Sequence, residues 1–491
     1  MLVTPSQMKA AEAAAFSRGV VPAELMDLAG EEIARVIRQF FPDPGTAIFY
    51  CGKGYNAADT LVAARHLGDK GWNILLRLSV APDELALLTR ERLSALSTAE
   101  IIHEIPQLSG APLVLVDGLL GIGSTGVPRG ATAGLIREVN DLRCRCGGFS
   151  VSIDLPSGLE GSTGEVFEPC IQADLTVTLG AVKTGLIADR ATAVVGRIAV
   201  IPLPGLAFPD SVSAEMLTAE LLRPLLPTRN FDTHKGNYGR IGILAGSRGT
   251  LGAARLAAAA AVHAGGGLVT LYALPECFEL LASSCIPEVM VRPVSTYLEV
   301  LTENHDVLAI GPGLGRGYDA DLLTIIRDSP LPCVIDADAL NAVSAELPVL
   351  QKCAGPRLLT PHPGEMERLL PQSGRSRSAW ASDFVQQYPV TLLLKGSRTI
   401  VAERGAAISY NTTGNPGMGS GGMGDVLTGV CSALVGSGHE LRQAGMLGAW
   451  LCGRAAEIAI FNGENSQESL SATSVISHLG AASHSLRNGD Y

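Results

Sequence analysis

The 491-residue chain predicts an α/β fold in two domains, and three features of the sequence carry that expectation. Short apolar strands followed by glycine-containing turns and then helical patterns recur through most of its length. The recurrence breaks once, where Pro202, Pro204, Pro209, Pro224 and Pro227 punctuate a stretch without a long strand. The composition, 47% hydrophobic and 17% charged with 56 glycines, suits compact units with many tight turns, and the length exceeds what one core usually serves. The expected domains are therefore 1–215 and 216–491.

In the first domain, residues 47–51 read as a buried strand. In the GKGYNAADTLVAARHL that follows, Leu61, Val62, Arg65 and His66 share helical spacing. Residues 113–117 form the next strand, running into GLLGIGSTG, and residues 150–154 another, running into LPSG. Strands that end in Asp with glycine turns behind them describe an open, doubly wound, mostly parallel sheet whose ligands lie at the carboxyl ends. In the second domain, residues 240–245 are a strand, 251–264 an alanine-rich helix and 268–273 a strand. The alternation continues with strands at 307–310, 333–336, 357–360 and 391–395.

A formal net charge of −11 without a basic cluster argues against nucleic acid or an anionic membrane as partner. The start, MLVTPSQMKAAEAAAF, lacks the pattern of a secretory signal, so a cytoplasmic protein is expected. Residues 256–275 are uncharged over nearly a membrane span, but His263, three glycines at 265–267 and Pro275 divide them into helix, turn and buried strand. Ten scattered cysteines, with Cys144 and Cys146 the one close pair, read as reduced thiols rather than a zinc site.

The most informative segment is NTTGNPGMGSGGMGDVLTGV at 411–430, with six glycines from Gly414 to Gly424, then Asp425 and an apolar run suited to a helix. Glycines let backbone N–H groups approach an anion, and a helix start adds a positive dipole end. Asp425 in that setting reads as a base that takes a proton from a hydroxyl while the loop holds the phosphoryl group. Four further motifs stand at expected strand ends: GPGLG at 311–315, DADALN at 336–341, TPHPGE at 360–365 and KGSRT at 395–399. Lys395 and Thr399 suit contacts to nucleotide phosphates, and Glu365 suits a hydrated Mg²⁺.

These residues resemble the ribokinase-like superfamily, with its GxGD loop and NxxE motif. His362 stands in the position of that Asn. Together with HKGNYGRIGILAGS at 234–247 and PEVM at 287–290, they resemble one branch, the ADP-dependent NAD(P)H-hydrate dehydratases. The resemblance implies phosphoryl transfer from ADP, with ATP as the alternative, to the hydroxyl of a hydrated NAD(P)H. Elimination then releases AMP and phosphate. It implies Asp425 as base, a nucleotide loop of Lys395, Gly396, Ser397, Arg398 and Thr399 with Gly424, and a hydrate pocket lined by Ala253, Gly315, His362 and Asp425. A small-molecule kinase of the same superfamily is the alternative.

The first domain is similar to the NAD(P)H-hydrate epimerases through CGKGYNAAD, VDGLLGIGSTG, SIDLPSGLEGSTGEV and ADLTVTLGAVKTGL. The resemblance implies K⁺ held by Asn56, Asp117 and Ser157, with Asp154 contacting or deprotonating the substrate. Its phosphates would be wrapped by Gly121, Ile122, Gly123, Ser124, Thr125, Gly126 and Val127. The family loop NNGGDG, whose residues Tyr55, Asn56, Ala57, Ala58 and Asp59 would bind substrate, reads YNAADT at 55–60 here; alanine methyls would obstruct a loop that needs positive φ, so either an active epimerase or a retained binding scaffold is expected. The combined expectation is an N-terminal Rossmann-like doubly wound sheet and a C-terminal ribokinase-like α/β domain. The cofactors implied are ADP, Mg²⁺ and K⁺, and the partner is a small-molecule NAD(P)H hydrate. A homo-oligomer is expected, although the segments 255–264 and 444–460 read as core.

Overall fold

The computed structural model describes residues 1–97, 99–108, 112–208, 213–371 and 374–491, so Pro209 of the proline-rich interval lies outside the described residues. The chain divides into two compact units, one spanning Met1–Val212 with Tyr491 and the other Ser213–Asp490.

In the first unit, helices α1 (Pro5–Ser17), α2 (Pro22–Phe40), α3 (Tyr55–Gly68) and α4 (Gly130–Cys146) flank a sheet. Its strands are β1 (Thr46–Cys51), β2 (Asn73–Leu78), β3 (Glu100–Ile101), β4 (Leu113–Gly118), β5 (Phe149–Ile153), β6 (Leu175–Leu179) and β7 (Arg197–Ile201). They lie in the order β3-β2-β1-β4-β5-β6-β7, every neighbouring pair parallel. The order reverses between β1 and β4, and at such a switch point the loops beyond the carboxyl ends splay apart and leave a crevice. β1 is buried along its whole length, as a strand covered on both faces must be.

Residues 55–60 require a correction. Replacing the family's glycines suggests obstruction of a loop that needs positive φ, but Tyr55–Gly68 is one α-helix and no residue from 55 to 60 has positive φ. Ala57 and Ala58 are fully buried, so their methyls fill core space. In a right-handed helix alanine is favoured over glycine by about 1 kcal/mol, so these replacements support the helix. Thr60 is buried too, and a Cβ on Gly118 would collide with its side chain.

The second unit contains α5 (Leu251–His263), α6 (Ala337–Ala345), α7 (Pro363–Leu369), α8 (Met423–Gly436), α9 (Leu441–Phe461) and α10 (Ala472–Asn488). Its strands are β8 (Ala214–Leu217), β9 (Arg240–Leu244), β10 (Leu268–Ala273), β11 (Val289–Pro293), β12 (Val307–Ile310), β13 (Cys333–Ile335), β14 (Arg357–Leu359), β15 (Thr391–Leu394), β16 (Ile400–Ala402) and β17 (Ile408–Asn411). The sheet order is β8-β17-β16-β15-β14-β13-β12-β9-β10-β11, parallel except where β16 runs antiparallel to β15 and β17. A domain boundary between 215 and 216 would cut β8, which pairs with β17, and the compact unit begins at Ser213.

The alanine-rich α5 and the glycine-containing α8 pack closely because their side chains are small. Ala254, Ala257, Ala258, Ala260 and Ala261 are fully buried, and a Cβ on Gly429 would collide with the carbonyl oxygen of Ala257. By length and composition α9 is apolar enough to cross a membrane, but 83% of its apolar window is buried inside the protein, which makes it a core helix. Gly429→Ala is expected to destabilise the second unit by about 1–3 kcal/mol through overpacking, read as a lower urea midpoint at unchanged slope.

Candidate active sites

Because β12, β13, β14 and β15 are parallel neighbours, the motifs that follow them emerge at one edge of the second sheet. Asp336 follows β13 and is 1% exposed. Its Oδ1 accepts from Lys395 Nζ at 2.6 Å, and its Oδ2 accepts from Thr428 Oγ1 at 2.9 Å. Lys395 Nζ also lies 3.7 Å from Glu365 Oε2. Burial is the largest single influence on Lys395 and pulls its pKa down, but Asp336, Glu365 and Asp425 together outweigh it and the pKa stands above the ordinary value.

Asp425 is the third residue of α8, whose N-cap is Gly422 at φ +90° with no side-chain cap. The first N–H groups of the helix are therefore left to a ligand or water. Burial, then the like charge of Asp336, pushes the Asp425 carboxyl up to about 6; Lys395 opposes this and Asp338 adds to it. A Cβ on Gly424 would lie 3.2 Å from Lys395 Nζ and 3.5 Å from Asp336 Oδ2, so glycine there keeps the space between cation and helix open.

The glycine run divides its labour. Gly414 N–H donates to Glu457 Oε1 at 2.8 Å, and Glu457 is itself a buried partner of Arg454 at 3.0 Å. Gly417 N–H donates to Asn415 Oδ1 and Gly419 N–H to the Pro416 carbonyl. The expectation that the glycine run offers its N–H groups to an anion is thus corrected: Gly414, Gly417 and Gly419 turn theirs into the protein.

In the pocket expected for a hydrate, a Cβ on Gly313 would come 2.9 Å from Ala253 Cβ, and Gly315 N–H donates to Asp338 Oδ2 at 2.8 Å. His362 caps α7. Its Nδ1 accepts from Gly364 N–H at 2.9 Å and from Glu365 N–H at 3.3 Å, which leaves the proton of the neutral ring on Nε2. Its backbone N–H donates to Glu365 Oε2 at 2.8 Å. In the KGSRT loop Gly396 and Ser397 are exposed and Thr399 Oγ1 donates back to the Gly396 carbonyl at 3.2 Å, whereas the Arg398 side chain is buried. Arg377 clasps this loop, donating to the carbonyls of Lys395 and Arg398 at 3.1 Å each. Nothing in the sequence singled out Arg377, because it belongs to no motif. The roles of Asp336 and Thr428 were visible only as motif membership.

In the first unit, Asp117 at the end of β4 accepts from Ser157 Oγ at 2.6 Å, Ser157 N–H and Ser152 Oγ at 2.9 Å, and Leu119 N–H at 3.2 Å. Burial raises its pKa, and the hydrogen bonds from Ser157, Ser152 and Leu119 work against that rise. Ser157 Oγ accepts in turn from Leu120 N–H, and Asn56 Nδ2 donates to the Leu120 carbonyl at 2.8 Å and the Ile153 carbonyl at 3.2 Å. Asn56, Asp117 and Ser157 thus meet around the start of the loop that continues through Gly121–Val127.

Asp154, just beyond β5, holds φ +67°. Its carboxylate accepts from Nζ of Lys183, a fully buried lysine that also donates to the Leu179 carbonyl at 2.8 Å and to Thr178 Oγ1 at 3.2 Å. Asp59 is pushed well up by burial and by the charges of Asp154 and Glu12, with Lys183 opposing. Glu12, from α1, is raised by burial and Asp154. Lys183 was named in the sequence only within ADLTVTLGAVKTGL, and a lysine that must be neutralised in a strand-end motif was the signal available. A cleft lined by Leu120, Gly121, Ser124, Gly126 and Pro156 opens beside this cluster. Ile122 packs partly on a small apolar cluster, Gly123 has open space around its Cα, Thr125 is exposed, and Val127 and Tyr55 are 50% and 57% exposed.

A family model described as NAD(P)H-hydrate dehydratase matches residues 241–478, and one described as YjeF-related protein N-terminus matches residues 22–185. The bifunctional NAD(P)H-hydrate repair enzyme Nnr of Moorella thermoacetica is 36% identical over 93% of this chain and 92% of its own length. Its counterpart in Escherichia coli is 34% identical over 90% of this chain and 86% of its own. Among solved structures, an ADP/ATP-dependent NAD(P)H-hydrate dehydratase from Bacillus subtilis, co-crystallised with ATP/Mg²⁺, superposes with a TM-score of 0.50 at 27% identity, covering 56% of this chain and 100% of that one.

The raised Asp425 pKa has a consequence for stability. With about 6 in the folded state and 3.8 as the ordinary value, the folded chain binds more protons between those limits, so this group lowers stability as pH rises through them. Asp425→Asn is expected to be more stable than wild type at pH 7.5, by roughly 1–3 kcal/mol, and to lose that advantage near pH 4, measured by urea unfolding at both pH values.

Proposed function

Since the chain belongs to the family of bifunctional NAD(P)H-hydrate repair enzymes, we propose that its second unit dehydrates the S form of NAD(P)H hydrate at the expense of ADP, and that its first unit interconverts the R and S forms. The observation that carries the first half is the buried Asp336, which pairs with the Lys395 ammonium and bonds the helix that bears Asp425 at its uncapped start.

Asp425 takes the proton of the hydrate hydroxyl, whose oxygen attacks the terminal phosphorus of ADP as the bond to the AMP oxygen breaks. Lys395 and the N–H groups opening α8 stabilise charge on the transferring oxygens. The phosphoester then leaves as phosphate with loss of a neighbouring C–H proton, and the nicotinamide double bond is restored. A base with a pKa of about 6 is mostly ionised at neutral pH and still basic enough to accept a proton. In this reading Gly396, Ser397, Arg398, Thr399 and Gly424 contact the nucleotide, and Ala253, Gly315 and His362 line the hydrate pocket.

Among the described residues no group of three or more His, Cys, Asp or Glu suits a metal cage. That agrees with Mg²⁺ arriving on the nucleotide phosphates with its waters, one of which Glu365 would orient. Mg²⁺ supplies charge neutralisation of the phosphates when bound. In the first unit the oxygen-only set of Asn56, Asp117 and Ser157 suits K⁺, with Asp117 supplying the negative charge while its four donors hold the loop. Asp154 is the substrate-facing carboxylate, beside the cleft of Gly121–Val127. Tyr55 and Asp59, from the first turns of α3, complete that side, while Ala57 and Ala58, also expected there, pack their methyls into the core. Ten free cysteines suit a reducing compartment, in keeping with the cytoplasm.

Asp425→Asn is expected to abolish formation of AMP, phosphate and NAD(P)H absorbance while leaving the fold intact; a wild-type rate in that variant overturns the reading. In wild type, kcat/KM is expected to fall tenfold per pH unit below a midpoint near pH 6. The same inactive variant, supplied with the R hydrate, is expected to produce the S form, followed by chromatography. Absence of conversion would leave the first unit a binding module.

A further inference from the structure

Asp336 belongs to no contact with nucleotide or hydrate in the reading above, yet four independent features of the second unit converge on it. It follows β13, is 1% exposed, and spends its two oxygens on two different elements: Oδ1 on Lys395 of the nucleotide loop at 2.6 Å, Oδ2 on Thr428 of α8 at 2.9 Å. Thr428 stands three residues after Asp425, so the two share one face of the helix. The backbone around Asp336 is shaped to hold it. Ala337, immediately after it, holds φ +46°, a left-handed conformation that costs a non-glycine residue and persists only where the surroundings impose it. Gly311, at φ +130°, leaves room for the Asp336 carbonyl, with which any Cβ there would collide. Gly424, the residue before Asp425, admits Lys395 Nζ and Asp336 Oδ2 to within 3.2 and 3.5 Å of where its Cβ would be.

We propose that Asp336 is the positioning residue of this site: one oxygen fixes the Lys395 ammonium, the other fixes the helix carrying Asp425, and the nucleotide loop and the base thereby keep a single register. The inference rests on the reading of Asp425 as the base. Without the Asp336 carboxylate, Lys395 would turn to Glu365, 3.7 Å away, and the transferring phosphoryl group would lose its cation while nucleotide and hydrate still bind. The role is exerted through Lys395 and Thr428 and not by contact with the reacting atoms.

The test is a double-mutant cycle on the full chain with ADP, Mg²⁺ and the S hydrate. Asp336→Asn and Lys395→Met are each expected to lower kcat on the order of 10²-fold, with the hydrate KM held within about threefold. The double variant is expected to be no slower than Lys395→Met alone, because both remove one arrangement. Thr428→Val, nearly isosteric, is expected to lower kcat about tenfold by freeing the helix arm. A kcat for Asp336→Asn within about threefold of wild type, or losses that multiply in the double variant, overturns the proposal. Should Asp336→Asn fail to fold, Thr428→Val carries the test: a kcat lowered about tenfold with the hydrate KM held supports the proposal, and a kcat within about twofold of wild type overturns it. Asp425→Asn separates the two levels. If it stays active, the reading of the base fails; if it is inactive while the cycle multiplies, only the role of Asp336 fails.

Discussion

A carboxylate withdrawn from water at the end of a central parallel strand is the constraint on which the second unit is organised. Asp336 is buried, and an unpaired charge there would be strongly destabilising, so the surrounding chain must bring donors to it. It does so from two directions, with an ammonium from the loop after β15 and a hydroxyl from α8. Meeting that electrostatic demand brings the loop after β15 and helix α8 together. Burial and, after it, the like charge of Asp336 raise Asp425, so one residue both joins these two elements and shifts the carboxyl proposed as the base.

The two units solve the same problem in parallel. In each, a parallel strand ends at a corner where a non-glycine residue is held at positive φ, Asp154 at +67° in one and Ala337 at +46° in the other. In each, a buried or half-buried lysine pairs with the aspartate at that corner, Lys183 with Asp154 and Lys395 with Asp336. Such strain costs about 1–3 kcal/mol per residue and is retained where packing over-determines the geometry. The difference lies in what the lysine is left to do. Lys183 is fully enclosed by Asp154, Thr178 and Leu179, whereas Lys395 stands beside the open approach that Gly424 provides.

Glycine content is a poor guide to function until the backbone is known. The six glycines from Gly414 to Gly424 look alike in sequence, but only Gly414 and Gly422 adopt positive φ, and the early part of the run is tied to Glu457, Asn415 and Pro416. Conversely, Ala57 and Ala58 stand where a family pattern has glycine. They are buried helix residues, so their methyls stabilise the start of α3.

By itself the sequence determined the elements and the chemistry-bearing residues. Apolar runs of strand length with glycine turns specified parallel sheets, helical spacing placed α3 and α5, and the motifs at strand ends named Asp425, Lys395, Glu365, Asp117 and Asp154, because periodicity and turn chemistry are local properties of a chain. Only the tertiary structure decided which of those residues act together. The order β15-β14-β13-β12 brings segments from 311 to 428 to one edge, and nothing local in the sequence encodes that Asp336 is shared by Lys395 and Thr428 or that Lys183 is enclosed against Asp154. Burial, which sets the cost of a charge and hence its need for a partner, is a property of the packed fold, and it turned a row of motifs into a site.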